Sequence, residues 1–411
     1  MSAEDRLLDA VPALASRHGY SNLTVETLLS ASRVSRSSFY QHFSNIEDCV
    51  WGSYRRHADQ LLSDVLAAAR SSKPGEAPAL TSLLDAAIRE PQTALFLMRE
   101  GLAAGPAGLR ERDALIARIA SALSTPASDR PVFDLPADLL VGAVFRFLAM
   151  HLEDDATHDP RQAVLEWAGA FARRSSQHSW SALLSPGISS HPPVRSPWPS
   201  KRPTGSSRER IMRATAASIR EDSFRAITVS DIVARARVSR RGFYNEFASK
   251  ADAFMAAYEY GFQQSLAAAA PAFFDSREWR ERVWDAAQAF TRFLLREPLI
   301  SYLGFVECYA AGPGFAGRVH DTQLAFTMFL EDGYRQSAKA GSLSRVCSAL
   351  TASAIFEAGF QGLRSGSSLQ VRRMQPLAVY IALVPFIGRD EAGAFVASKL
   401  AAKESGAPAA A

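Results

Sequence analysis

Cysteine is scarce in this chain of 411 residues, which contains only Cys49, Cys308 and Cys347. The three are far apart in sequence, form no CxxC pair and are odd in number, so their spacing indicates neither a disulfide framework nor a thiolate metal site. A reducing compartment, the cytoplasm, is the expected location of such a protein.

Long apolar runs are absent as well. The longest, such as residues 379–387, are much shorter than the roughly 18–20 residues that a membrane span needs, and no apolar N-terminal stretch follows a basic segment. We therefore expect a soluble protein that makes no membrane contact.

The sequence also lacks catalytic motifs, with no GxSxG, no Walker loop and no paired Cys/His nucleophile. Residues 312–317 match the dinucleotide motif GxGxxG by letters alone, because that motif needs a preceding strand and the flanks here have helical patterns. His151 and His158 lie beside an acidic run, but their spacing is not that of a helical zinc site, so a solvated loop is favoured. We expect no enzymatic activity, no cofactor and no metal.

Neither sign of charge dominates the composition. The chain has 46 basic and 42 acidic residues, a formal net charge of +4, and a pI of about 9.0. This balance leans toward an anionic partner such as nucleic acid, although composition alone is a weak indicator.

What the sequence does contain is an internal repeat. Residues 6–48 align with residues 210–252 at a constant offset of 204, and 13 of the 43 pairs are identical. A second match, between residues 89–106 and 296–313, has an offset of 207 and runs from Arg-Glu-Pro to Ala-Ala-Gly-Pro in both copies. The whole unit was therefore duplicated.

Helical patterns cover nearly all of both copies. Pro91, Pro136, Pro298 and Pro376 stand where a proline can open a helix, and the Gly-Pro pairs at 105 and 312 mark stops between helices. No alternating strand pattern competes, so an all-α fold is predicted. Apolar residues three and four apart are clearest in 61–69, 139–152, 284–295 and 349–363.

The repeated N-terminal segment divides into three short helices in each copy. The first runs from about Arg6 to His18, and from Arg210 to Asp222 in copy two. Thr24 and Ser35 are the expected N-caps of the second and third helices, as are Thr228 and Ser239 in copy two, where Thr228 and Asp231 have the capping-box spacing.

The third helix is predicted to be about ten residues long, enough for its first turns to enter a DNA major groove. Phe39 and Phe43 are four residues apart, so both face the core against the first helix. The residues left facing outward are Arg36, Ser37 and Gln41, with Arg240, Arg241 and Asn245 in copy two.

The sequences VSRSSFYQHF at 34–43 and VSRRGFYNEF at 238–247 resemble the recognition helix of TetR-family regulators. The resemblance implies a three-helix DNA-binding domain in each copy, followed by a larger helical domain that binds a small effector and supplies the dimer interface. It also implies repression that the effector relieves. This adds up to an all-α chain of two fused TetR-like units.

By the same resemblance, Tyr40 and Tyr244 contact phosphate, the residues before them reach base edges, and Lys250 meets the DNA backbone. The residues expected at DNA are Thr24, Ser35, Arg36, Ser37, Ser38, Tyr40, Gln41 and His42 in copy one, and Thr228, Ser239, Arg240, Arg241, Gly242, Tyr244, Asn245 and Lys250 in copy two.

The two copies depart from the family pattern and from each other. The family often has glycine in the turn, where Arg33 and Arg237 stand here, and copy one has Ile46 in place of Lys250. Residues 1–48 contain four basic and six acidic residues, whereas residues 206–252 contain ten and six. Copy two and the basic linker that precedes it are therefore expected to supply most of the nonspecific DNA affinity.

The predicted organisation has six parts. Residues 179–205 are rich in serine and proline, which disfavours helix and suits a linker. The parts are DNA-binding domain one at 1–48, regulatory domain one at 49–178, the linker at 179–205, DNA-binding domain two at 206–252, regulatory domain two at 253–402 and a tail at 403–411.

One chain is expected to do the work of two subunits, as a monomeric pseudo-dimer on double-stranded DNA with an asymmetric operator. A small apolar or aromatic effector is the second expected partner, although aromatic stripes are more often ordinary core. The alternative is an interaction or ligand-sensing module in which copy one has lost DNA binding. The candidate effector residues are Phe290, Phe293, Tyr302, Phe305, Tyr309, Phe326 and Phe356.

Overall fold

The computed structural model describes residues 1–70, 77–124, 132–153, 159–173, 177–181, 205–274, 278–336 and 343–404. These ranges are almost entirely helical, so the all-α prediction is confirmed. Within them, no helix is long and apolar enough to cross a bilayer. His158, residues 182–204 of the predicted linker and the predicted tail from residue 405 lie outside the described residues.

Copy one begins with three helices, Ala3–His18, Val25–Ser32 and Arg36–His42, and the 25-residue helix Ile46–Arg70 follows them. The two-residue strands Val132–Phe133 and Ala172–Arg173 pair antiparallel. The other helical segments are the 3-10 turn Tyr20–Asn22, Pro78–Arg89, Pro91–Leu95, the π-helical turn Phe96–Glu100, Gly101–Ala103, Gly105–Ser124, Ala137–His151 and Arg161–Ala170.

Copy two repeats this order, with Ser207–Glu221, Val229–Ala236 and Arg240–Glu246 leading into Lys250–Phe273. The remaining helical segments are Trp279–Arg296, Pro298–Phe305, the 3-10 turn Pro313–Phe315, Ala316–Ala325, the 3-10 turn Phe326–Leu330, Glu331–Gln336, Val346–Arg364, Ser368–Ile387 and Arg389–Glu404.

The predicted N-caps are confirmed. Thr24 and Thr228 each accept a hydrogen bond from the backbone three residues on and complete a capping box with Thr27 and Asp231. Each box satisfies two backbone donors that the first helical turn would leave unpaired. The predicted caps of the third helices are confirmed too, because Ser35 accepts from the amide of Ser38 and Ser239 from that of Gly242.

Two sequence predictions need correction. The third helix was predicted to have about ten residues, but it has seven, because Phe43 and Phe247 already adopt extended backbone conformations. Pro376 was predicted to open a helix, whereas it lies inside Ser368–Ile387. That helix is buried along most of its length, and its packing offsets the backbone hydrogen bond that proline cannot make.

The described structure divides into two compact units, and each contains chain from both copies. Unit 1 comprises Met1–Arg130, Val144–Arg161 and Glu307–His320. Unit 2 comprises Pro131–Ala143, Gln162–Val306 and Asp321–Ala411. The first DNA-binding domain therefore lies in unit 1, and the second lies in unit 2.

In unit 2, helices from the ends of the two copies are joined by buried polar contacts. The indole nitrogen of Trp167 donates to the hydroxyl of Thr351 over 3.0 Å, and both residues are buried. The carboxylate of Asp134 accepts from the Tyr380 hydroxyl at 3.1 Å and from the Arg389 guanidinium at 3.0 Å. Burial and the Asp134 carboxylate raise the pKa of Tyr380. These specific contacts fix the register between the two copies inside this unit.

Candidate nucleic-acid interfaces and an apolar cavity

The third helix of each DNA-binding domain has one buried face and one exposed face. Phe39 and Phe43 are buried with ring centroids 5.8 Å apart, and Phe243 and Phe247 are buried at 6.0 Å. The helix is thus held by its aromatic pair, as the four-residue spacing predicts, and its other face is left to solvent.

A large aromatic side chain stands on each exposed face. Tyr40 is 54% exposed and Tyr244 is 49% exposed, and each packs edge-on against the ring of Phe39 or Phe243. Exposing a ring of this size contributes little to the core, so its position favours contact with a partner.

Most of the other predicted DNA contacts share these surfaces. Ser38, Gly242 and Lys250 are half-buried. The predicted residues with exposed side chains are Thr24, Ser35, Arg36, Ser37, Gln41 and His42 in the first domain, and Thr228, Ser239, Arg240, Arg241 and Asn245 in the second.

Arg33 and Arg237 hold the turn in a conformation that usually requires glycine. Their φ angles are 53° and 52°, in the left-handed region, and each residue caps the second helix of its domain. The turn therefore keeps the backbone shape of a glycine turn and adds an exposed guanidinium beside each third helix.

Lys250 is placed where its ammonium group serves the fold of its own domain. Its Nζ donates to the carbonyl oxygens of Phe224 and Ile227, each at 2.9 Å, and lies 3.4 Å from that of Arg225. Burial lowers the pKa of this lysine. The ammonium thus supports the loop before the second helix, and its contact with DNA stays a prediction.

The second DNA-binding domain is joined to its regulatory helices by two half-exposed arginines. Arg213 forms a bidentate ion pair with Glu297, and the guanidinium carbon of Arg220 lies 4.2 Å from the centre of the Tyr302 ring. Tyr302 is part of the short helix Pro298–Phe305, and Glu297 is the residue that precedes this helix. That helix therefore holds the first helix of the domain.

The first DNA-binding domain is joined by a buried network instead. Arg99 donates to the carbonyl oxygen of Ser16 at 2.7 Å, to Glu100 at 2.8 Å and to Glu153 at 2.6 Å. Glu100 in turn accepts from the backbone amide of Tyr20 at 2.7 Å. Arg99 and Glu100 are only 1% and 2% exposed.

The electrostatics of this network keep Arg99 charged. Although burial opposes a charge on Arg99, the carboxylates of Glu100 and Glu153 raise its pKa above the ordinary value. Sequence analysis missed the network. Its only local signal is an Arg-Glu pair in the apolar run Phe96–Glu100, which the structure shows to be a π-helical turn, a feature often found at functional positions.

His320 faces this network from copy two. It is 2% exposed, and its Nδ1 lies 3.4 Å from a Glu153 oxygen, while its ring lies 5.8 Å from that of Tyr309. Burial, Arg99 and Arg146 lower its pKa from 6.5 to about 4. His320 is therefore neutral at pH 7. Among the described residues, no group of His, Cys, Asp and Glu is arranged to hold a metal.

We predict that His320 makes stability fall in mild acid. The unfolded chain titrates this histidine near 6.5 and the folded chain near 4, so the unfolded state binds one more proton between these values. Its contribution is fully present above pH 6.5 and is lost as the pH falls toward 4. In urea unfolding, the free energy of unfolding of wild type should therefore fall relative to that of His320→Gln as the pH decreases across this window. Parallel curves would contradict the assignment.

Unit 2 contains an apolar cavity with a volume of about 840 Å³, which includes the part that is open to solvent. Phe305 and Phe356 stack there with centroids 4.9 Å apart, and Phe290 and Phe326 pack edge-on beside them. Among the lining residues that the structure describes, Thr291 is the only polar side chain, and its hydroxyl donates to the Ala287 carbonyl. The wall thus favours an uncharged apolar occupant.

Four of the seven candidate effector residues line this cavity, and three lie elsewhere. Phe293 is buried outside the lining, Tyr302 lies under Arg220, and Tyr309 belongs to unit 1 beside His320. The four that line the cavity are Phe290, Phe305, Phe326 and Phe356.

Comparison of the sequence with protein families identifies the segment at the start of each copy. The sequence model of the bacterial regulatory proteins of the tetR family matches residues 7–50 and again residues 211–257. The chain therefore contains two segments of the tetR family, one at the start of each copy. A comparison with curated proteins finds no match to this chain.

With two such segments in tandem, the chain is a helix-turn-helix transcriptional regulator that binds DNA. The matched ranges cover the three helices of each DNA-binding domain and the start of the fourth. They end before the cavity, so the match itself says nothing about an effector.

Proposed function

We propose that this chain is a repressor in which two fused tetR-family units act as one pseudo-dimer on an asymmetric operator. A small, uncharged, apolar molecule in the unit 2 cavity releases it from DNA. The observation that carries the DNA-binding part is the pair of exposed recognition faces, each presenting a half-exposed tyrosine above a buried phenylalanine pair.

The buried contacts between copies support the single-chain arrangement. In unit 2, Trp167 of copy one bonds to Thr351 of copy two, and Asp134 of copy one accepts from Tyr380 and Arg389 of copy two. A second chain is therefore not needed to cover these polar surfaces of either copy.

The two recognition faces differ in the groups they offer to base edges. Copy two presents Arg240 and Arg241, each able to bind guanine through two parallel hydrogen bonds, where copy one presents Arg36 and Ser37. Gln41 is likewise replaced by Asn245. Copy two should impose the stricter half-site, and the two half-sites should differ in sequence.

A route from the cavity to the second DNA-binding domain supports the effector role. Phe305 lines the cavity at the end of Pro298–Phe305. Tyr302 of the same helix holds Arg220 of the first DNA-binding helix, and Glu297, just before the helix, holds Arg213. A ligand that moves this short helix would move the domain with it.

A second candidate is a regulator in which only copy two binds DNA. The acidic balance of residues 1–48 and the presence of Ile46 in place of Lys250 favour it. Retention of Arg36 and Tyr40 on an exposed surface, where packing does not require them, favours two working domains.

Selection from random DNA, followed by binding assays with tyrosine variants, tests the DNA-binding part. Tyr40→Ala and Tyr244→Ala should each weaken the selected complex by about tenfold, since losing one such contact removes about 1.4 kcal/mol. Phe274→Ala is the control, because Phe274 is 63% exposed but outside both domains.

If only Tyr244→Ala weakens binding, the second candidate is correct, and if neither does, the repressor proposal fails. A selected site that is a perfect inverted repeat would refute the asymmetric operator. Light scattering of the same sample should give 44.6 kDa, the mass of one chain, and a stable dimer would refute the pseudo-dimer.

The cavity is tested with N-phenyl-1-naphthylamine, a neutral aromatic dye that fluoresces in apolar sites. Ala352 lines the cavity, so Ala352→Phe should fill it and abolish the fluorescence rise that wild type gives. Ala394→Phe, at an exposed alanine outside the lining, should behave as wild type. Equal fluorescence from both variants would place the dye elsewhere.

A further inference from the structure

In each copy an arginine connects the DNA-binding domain to the regulatory helices, but it stands at a different position in the two copies. We call this connection the joint. Arg99 of copy one corresponds to Val306 of copy two at offset 207, and Arg220 of copy two corresponds to Ser16 of copy one at offset 204. In copy one the arginine reaches from the regulatory side into the DNA-binding domain, and in copy two it reaches the other way. The two domains are therefore held by different physical means.

The joint of copy one depends on the buried charges of Arg99 and Glu100. Removing or displacing one member of such a network leaves a desolvated charge without its partner, so the network tolerates little movement. The joint of copy two uses half-exposed groups, which water can solvate when they separate. A small shift of a neighbouring segment would thus affect the copy one joint more strongly.

A segment of copy two completes the copy one joint. Residues Glu307–His320 belong to unit 1. The turn Pro313–Phe315 packs against the first helix, Ala3–His18, and His320 faces Glu153, which binds Arg99. The first DNA-binding domain is consequently held in part by chain that copy two supplies.

The same segment begins two residues after a wall of the cavity. Phe305 stacks on Phe356 in unit 2, and the chain then enters unit 1 at Glu307. Only Val306 separates Phe305 from this segment, and Val306 is buried.

We propose that the apolar cavity of unit 2 controls both DNA-binding domains. It acts on the second through the helix Pro298–Phe305 and on the first through the segment Glu307–His320, whose contacts hold the Arg99 network. The inference rests on the proposed role of the cavity as an effector site. It adds that copy one is regulated by a ligand bound among residues of copy two.

Hydrogen–deuterium exchange of the full chain, without ligand or DNA, tests this relay. A methyl group on Gly359 would overlap the Phe305 ring, so Gly359→Ala displaces that ring directly. Gly304→Ala is the matched control, since a methyl group there meets nothing within 4 Å although it is on the same helix as Phe305.

We expect Gly359→Ala to raise exchange at the amides of residues 16–23 by about fivefold or more, the lower end of usual coupling between sites, and Gly304→Ala to leave it unchanged. In an Arg99→Met background, where the network is already broken, Gly359→Ala should add no further exchange there.

Exchange in the first domain that equals wild type in Gly359→Ala, or effects of the two substitutions that simply add, would overturn the relay. Should Gly359→Ala not fold, Phe305→Leu displaces the same wall by removing the ring, and the same two outcomes apply. Because neither ligand nor DNA is present, failure of the relay is distinguishable from failure of the dye and operator experiments above.

Discussion

Replacing Arg99 with methionine is expected to lower the free energy of unfolding of unit 1 by about 3–5 kcal/mol. The side chain is 1% exposed and donates to Glu100, Glu153 and the Ser16 carbonyl. Methionine fills much of the same space but leaves the buried Glu100 carboxylate without its cation. Scanning calorimetry combined with hydrogen exchange at residues 16–23 measures the loss and locates it in the first DNA-binding domain.

The control for this prediction is Arg118→Met. Arg118 forms a 2.7 Å ion pair with Asp59, but both side chains are at least half exposed, so its loss should cost less than about 1 kcal/mol. If both variants lost the same free energy of unfolding, the Arg99 network would be accessible to solvent rather than buried.

Replacing both Arg240 and Arg241 with alanine should weaken binding to the selected DNA by at least about 30-fold, since each bidentate guanine contact contributes about 1–3 kcal/mol. Both side chains are exposed at the start of the recognition helix Arg240–Glu246. The loss should be concentrated on one half-site, whose sequence preference should relax. Binding titrations on half-site variants measure both effects.

Arg372 and Arg373 provide the matched control, because they are also adjacent, exposed arginines but stand on the regulatory helix Ser368–Ile387. Replacing both with alanine removes the same charge, and salt screening should limit its effect on DNA binding to less than about threefold. If the two double variants weaken binding equally, the effect of Arg240 and Arg241 is general attraction rather than base recognition.

The local features of the DNA-binding domains were predictable because short-range rules decide them. Thr228 and Asp231 form a capping box at a fixed spacing, and Phe39 and Phe43 face one side of a helix because they are four residues apart. The end of the third helix was misjudged by a few residues, since a boundary depends on where the backbone turns rather than on which face is apolar.

The joints and the cavity wall were not predictable in the same way. Arg99 and His320 are more than 200 residues apart, and no periodicity links them to one network. Aromatic content suggested seven candidates for the cavity, but only Phe290, Phe305, Phe326 and Phe356 of them line it, because Tyr302 and Tyr309 contact other partners.

The sequence by itself determined the duplication, the all-α fold and the two tetR-family segments, since repeats, caps and helical spacing are properties of neighbouring residues. Only the tertiary structure decided that each unit draws on both copies, and that a buried arginine holds one DNA-binding domain while two half-exposed arginines hold the other. These features depend on which side chains, distant in sequence, are buried against one another. Burial is decided only when the whole chain packs.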